Sequence, residues 1–151
     1  MAATEGPDAL VRLITVRHKA VLATIKSDGR PQLSNVTYAF TADPSAPGAG
    51  VARISITSSR AKYRNLVRDP RASLHVSSPD FWSYAVAEAL AELSPVAADP
   101  QDQTVDDLVA LYRDVQGEHP DWQEFRQEMV TDQRVMLRLA VSRVYGMTSG
   151  G

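Results

Sequence analysis

The sequence predicts a mainly β fold with flanking α-helices, and three observations carry that reading. Segments 20 to 26, 31 to 40, 51 to 57, 72 to 77 and 135 to 145 are strand-like, alternating in character or running short and apolar. An Asp28-Gly29 pair separates the first two, supplying the backbone geometry that a tight hairpin turn needs. The intervening periodic segments carry helix-start and helix-stop residues instead.

The elements follow in order. A helix is expected from about Pro7 to Arg17, because Leu10, Val11, Leu13, Ile14 and Val16 make a broad apolar face and Pro7 suits a first helical turn. Strands 20 to 26 and 31 to 40 form a hairpin around Ser27-Asp28-Gly29-Arg30. Thr41 to Gly50 concentrates Pro, Gly, Ala and Asp, the composition of a surface loop, before a strand from Val51 to Thr57. A short helix is expected from Ser59 to Arg68, stopped by Asp69-Pro70, and then a strand from Ala72 to Ser77. Residues 83 to 94 admit two readings: their Ala, Leu and Glu favour helix, while their alternation permits a strand. Thr104, with Asp107 three residues on, is placed to cap a helix of about 105 to 115. Gly117 and Pro120 break it, and Asp121 to Thr131 makes another, so the two acidic helices form a lid or flank. The last strand, Val135 to Tyr145, sets Val135, Leu137, Leu139 and Val141 inward, with Arg134, Met136, Arg138 and Ala140 on its other face.

Composition narrows the function. With 151 residues, 44% hydrophobic and 23% charged, the chain suits one domain, residues 1–151, with a substantial core. It has no Cys, which excludes disulfides, thiolate-held metals and a thiol nucleophile. No apolar run approaches the roughly 20 residues that span a bilayer. The first residues also lack the basic and apolar segments of a signal peptide, so a cytoplasmic protein without membrane contact is expected. The net charge of -2 hides a division. Residues 1 to 75 hold 11 Lys or Arg against 5 acids, and residues 76 to 151 hold 5 against 13, giving halves of +6 and -8. Such asymmetry fits an anionic partner for the first half, or contact between opposite surfaces of two subunits. Nucleic acid is disfavoured, since the cations form no tract and no nucleic-acid motif is present.

Few residues suit direct chemistry. His18, His75 and His119 lie on different elements without metal-ligand spacing, so no metal site is expected. There is no Gly-x-Ser-x-Gly elbow, Walker loop or Gly-x-Gly-x-x-Gly fingerprint. No side chain stands out as catalytic, so in an enzyme a cofactor would carry the reaction while the protein binds and orients it. Arg60, Lys62 and Arg64 fall early in a predicted helix, where exposed N–H groups already make the potential positive. An anion there would resolve the conflict, with Arg60 and Lys62 best suited to a phosphate. The alternative is a solvated face paired with the acidic second half. Gln32, Ser34 and Asn35 offer donors and acceptors to a heterocycle, but period two sets Gln32 and Ser34 on one face and Asn35 on the other. Trp82 and Tyr84 suit either stacking on a planar ring or a subunit interface.

The residues carry a resemblance that covers nearly the whole chain. It runs from Val21-Leu-Ala-Thr-Ile-Lys26 and Asp28-Gly-Arg-Pro-Gln-Leu-Ser-Asn35 through Arg60-Ala-Lys62, Arg64-Asn-Leu66 and Arg68-Asp-Pro-Arg-Ala-Ser73. It continues in Trp82-Ser-Tyr-Ala-Val-Ala-Glu88, Leu111-Tyr-Arg113 and Val144-Tyr-Gly146. The chain resembles the flavin and deazaflavin oxidoreductases related to pyridoxamine 5'-phosphate oxidase, which have a split β-barrel, FMN-binding-like fold. It is similar in particular to small actinobacterial members that bind coenzyme F420, an 8-hydroxy-5-deazaflavin. The resemblance implies a homodimer with two cofactor sites at the subunit interface. It implies a tail phosphate near Arg60 and Lys62 with help from Ser55, Gln32 and Asn35 near the deazaflavin or its ribityl chain, and Trp82 and Tyr84 approaching from the partner subunit. The implied reaction is hydride transfer from the reduced deazaflavin to a small organic acceptor. The alternatives are an FMN-dependent flavoprotein on the same fold and a non-catalytic carrier of the deazaflavin. Two departures stand out: Ser58-Ser59 where the family has an acidic residue and Pro, and a longer loop from Thr41 to Gly50. The resemblance also decides residues 83 to 94 as a strand, because burial in a barrel outweighs propensity differences of roughly 0.5 kcal/mol per residue.

Overall fold

A computed structural model describes residues 6–149. The elements are α1 (Pro7–Val16), β1 (Lys19–Ile25), β2 (Pro31–Thr37), β3 (Ala39–Ala42), β4 (Gly50–Thr57), α2 (Ala61–Arg68), β5 (Arg71–Ser77), β6 (Tyr84–Leu93), α3 (Gln103–Gln116), α4 (Trp122–Thr131) and β7 (Arg134–Met147). The seven strands form one sheet in the order β2-β1-β5-β6-β7-β4-β3, and every pairing is antiparallel.

The two edge strands, β2 and β3, are separated in the chain by Tyr38 alone. One stretch of backbone therefore runs from the β1 edge to the β4 edge, and the sheet must curl to let it do so. The result is the split β-barrel. The expected single strand from 31 to 40 is thus corrected to two, and Tyr38 is the cause. Its side chain is fully buried and its hydroxyl donates to the Ile14 carbonyl at 2.5 Å. That carbonyl lies in the last turn of α1, where helical partners run out. The Tyr38 N–H donates to the His18 carbonyl at 2.9 Å, and its own carbonyl lies 3.0 Å from His18 Nδ1.

Two apolar clusters hold the fold. Inside the curl, Leu10 and Ile14 of α1 meet Leu22, Ile54, Leu74, Val76, Leu137 and Leu139 from the strands. Ala85, Ala87 and Ala89 of β6 are buried in the same cluster, and their small side chains let α1 approach. This explains why an Ala-rich segment is a strand: β5 and β7 pair with it on both sides, and α1 needs the space. The second cluster lies under α3 and α4, where Val105, Leu108, Phe125 and Met129 cover Ala39 and Met136 on the other face of the sheet. Met136 is therefore buried although it faces away from the barrel interior. The cap of α3 also differs from expectation. Asp102, not Thr104, accepts from the Val105 N–H at 2.9 Å, while the Thr104 hydroxyl donates to the Pro95 carbonyl. Three further backbone N–H groups start this helix or its approach on Asp102 or Asp99, at Ala98, Asp99 and Gln101.

Candidate functional site

A cleft of about 770 Å³ opens where β1 and β2 part from β4 and α2. The strand pairing decides which side chains reach it. Asn35, Val21 and His75 are direct cross-strand neighbours on the outward face of β2, β1 and β5, and all three line the cleft. Ser55 and Thr57 face it from β4, and Thr57 pairs with Arg134 at the start of β7. Arg60 sits at the N-cap of α2 and Lys62 in its first turn, with no side-chain cap and no acid in that turn.

The charge of the cleft is one-sided. Arg17, Lys19, Arg60, Lys62 and Arg134 all line it, and among the described residues no Asp or Glu does. Among the described residues, Arg17, Lys19, Arg60 and Lys62 make no ion pair, and Arg134 comes only within 3.9 Å of Asp132. The Nε atoms of Arg17 and Arg134 are buried without a hydrogen-bond partner. Burial, then the Arg60 and Arg134 charges, holds the Lys62 ammonium below its ordinary pKa. Buried N–H groups are normally satisfied, and like charges this close oppose one another. A phosphate would answer both demands by accepting hydrogen bonds and neutralising charge. Pairing with the acidic half of the chain does not answer them. Within the described residues, Arg53–Asp114 is the single ion pair joining the first 75 residues to the rest.

The expected site residues divide. Asn35, Ser55, Arg60 and Lys62 meet in the cleft. Gln32 does not: it lies on the opposite face of β2, where its Oε1 accepts from Asn65 Nδ2 at 2.6 Å, and the same amide donates to Thr24 Oγ1. Its polar group is thus used in tying α2 to the hairpin. Arg64 turns back to donate to the Ser59 carbonyl and leaves the cleft to Arg60 and Lys62. Tyr84 stacks on His75, with ring centroids 5.5 Å apart and planes within 13°, so it stands behind a cleft-lining residue. Trp82 lies in the turn before β6, 77% exposed, and does not line the cleft, although Ser78 and Pro79 of the same turn do. Arg17, Lys19, His75 and Arg134 were not anticipated. The +6 count of the first half hinted at Arg17 and Lys19, but Arg134 enters through the β4–β7 register, which no local pattern encodes.

A model of the pyridoxamine 5'-phosphate oxidase family matches residues 7–148. The chain belongs to this family. Solved structures agree on the fold of this pyridoxamine 5'-phosphate oxidase relative. An F420 reductase is 24% identical, covering 88% of this chain and 93% of its own, with a TM-score of 0.65. An FAD-binding protein from Mesorhizobium loti is 16% identical over 99% of both chains, with a TM-score of 0.67. HutZ, a heme storage protein from Vibrio cholerae, is 15% identical over 93% of both chains, with a TM-score of 0.63. Among the described residues, no helix is long and apolar enough to cross a membrane, and no group of three or more His, Asp or Glu could hold a metal ion.

Proposed function

We propose that the chain is a coenzyme F420-dependent oxidoreductase that transfers hydride from the reduced deazaflavin to a small organic acceptor. The observation that carries this reading is the cleft of five cations without an acid, two of them with orphaned buried nitrogens. That donor set fits a phosphate-bearing cofactor. Arg60 and Lys62 hold the phosphate, Ser55 donates to it, and Arg17 adds to the neutralisation. When bound, the deazaflavin supplies the hydride, so the chain needs no nucleophile of its own. Asn35 and His75, neighbours across β2, β1 and β5, present polar groups toward the heterocycle. The protein works as a cytoplasmic homodimer in which Trp82 completes the site of the partner chain, while Tyr84 supports the cleft of its own chain through His75.

The family's own name favours a second reading, an FMN-dependent flavoprotein using the same cationic cleft. Fluorescence titration of the purified protein with oxidised coenzyme F420 and, in parallel, with FMN separates the two. Saturable binding of the deazaflavin alone supports the proposal. A preference for FMN moves the assignment to the second reading, and binding of neither removes both.

A further inference from the structure

A second cavity, of about 290 Å³, adjoins the cationic cleft and shares Thr37, Ser55 and Arg134 with it. Beyond that rim its character changes. Leu111, Tyr112, Phe125 and Met129 wall it, and among the described residues no acid lines it. Tyr112 packs edge-on against Phe125 with ring centroids 5.1 Å apart and against Trp122 at 5.6 Å, so the aromatic wall is already assembled. Such edge-to-face packing holds rings in defined orientations.

We infer that this cavity receives the ring of an aromatic carboxylate, whose charged end docks at Arg134 on the shared rim. An apolar body is required because the walls offer carbon and few polar groups. An anionic end is favoured because Arg134 Nε is buried without a hydrogen-bond partner, and its nearest carboxylate, Asp132 at 3.9 Å, is too far to hydrogen-bond and does not line the cavity. An amine would meet five cations and no acid across the two cavities. Size sets the class: a cavity of about 150 Å³ holds benzene, so this one takes a fused or substituted ring. The phosphate site at Arg60 and Lys62 lies in the other cavity, which leaves both ligands room at once. That this ligand is the hydride acceptor rests on the oxidoreductase reading, whereas its binding does not.

The test is calorimetric titration of the coenzyme-free protein with naphthoate and with its uncharged counterpart naphthylmethanol. Naphthoate should bind saturably, and the neutral compound should bind about tenfold more weakly or worse, for want of the charged contact. Val115→Trp and Gln116→Trp, both at this cavity, should each cut naphthoate affinity by about tenfold or more while coenzyme titration is unchanged. Gln116 is exposed, so its variant folds even where Val115→Trp is strained. Conversely, Arg60→Ala with Lys62→Ala should weaken the coenzyme and spare naphthoate. Naphthoate binding blocked by Gln116→Trp in a protein that ignores the coenzyme would keep this site and end the F420 reading. Equal naphthoate affinity in the wild type and Gln116→Trp, or no binding at millimolar concentration, overturns the inference.

Discussion

Lys62 and Arg60 concentrate the site's chemistry because each holds a charge that its own chain leaves unanswered. Removing both, as Arg60→Ala with Lys62→Ala, should weaken coenzyme binding by roughly 100-fold or more, since charge-assisted hydrogen bonds contribute about 1.5–3 kcal/mol each. Calorimetry reads this directly, and unchanged affinity would remove the phosphate from α2. Lys62 adds a pH signature. Its pKa in the free protein is lowered by burial and then by Arg60 and Arg134, so its charged form is disfavoured until an anion arrives. An anion raises that pKa again. Affinity is therefore full below the free-state pKa of Lys62 and declines as pH rises through it, earlier than an ordinary lysine would dictate. Lys62→Arg stays charged across this range and should flatten the decline. A decline of the same size in Lys62→Arg would assign the titration to another group.

Elements hold these residues in place, and two of them depend on single positions. Gly146 on β7 has φ 151°, and a Cβ there would collide with the Tyr84 carbonyl oxygen and the Ala85 Cα of β6. Gly146→Ala should therefore cost about 1–3 kcal/mol in denaturant unfolding, typical of forced overpacking. It should also displace the start of β6, which carries Tyr84. Tyr38 is the second position. Tyr38→Phe strands the Ile14 carbonyl in a buried setting and should cost about 1–3 kcal/mol. Burial also raises the Tyr38 phenol pKa, so its contribution is complete below the unfolded value near 10 and is lost as pH climbs above it. An unfolding midpoint unaffected by Tyr38→Phe would deny Tyr38 its role as the pivot between β2 and β3. These two positions also show what was legible. Period two revealed the strands, and the Asp-Gly turn revealed the hairpin, because both signals are local. The break at Tyr38 was not legible, since it depends on His18 and Ile14, which lie about 20 residues away or more. The same division holds in the cleft: Arg60 and Lys62 stand out against a helix N-terminus, whereas Arg134 arrives by register. Gln32 looked like a ligand contact until Asn65 claimed it.

At the scale of the whole molecule, the outward face of the sheet is too apolar for a surface meant only for water. The neighbours Asn35, Val21, His75, Val86 and Tyr145 run across five strands in one row. Tyr145 is 45% exposed at one end, and Leu33, on the same face of β2 as Asn35, is 65% exposed. Phe81 and Trp82 stand out from the turn before β6, with Phe81 held at φ 72°, a conformation that bulky residues rarely adopt. Exposed aromatic residues beside an apolar sheet face are what a second copy of the chain would cover. A two-fold dimer through this face brings the same row of each chain together, because an isologous contact is self-complementary. In the proposed homodimer Trp82, which does not line its own chain's cleft, is the residue assigned to the partner's site. Sedimentation velocity at micromolar concentration should therefore report a dimer. Tyr145→Glu, which places a charge in the face without touching the cleft, should shift the protein toward monomer and weaken coenzyme binding together. A folded monomeric variant that still binds the coenzyme at full strength would show that each chain builds its site alone, and Trp82 would then have no part in it.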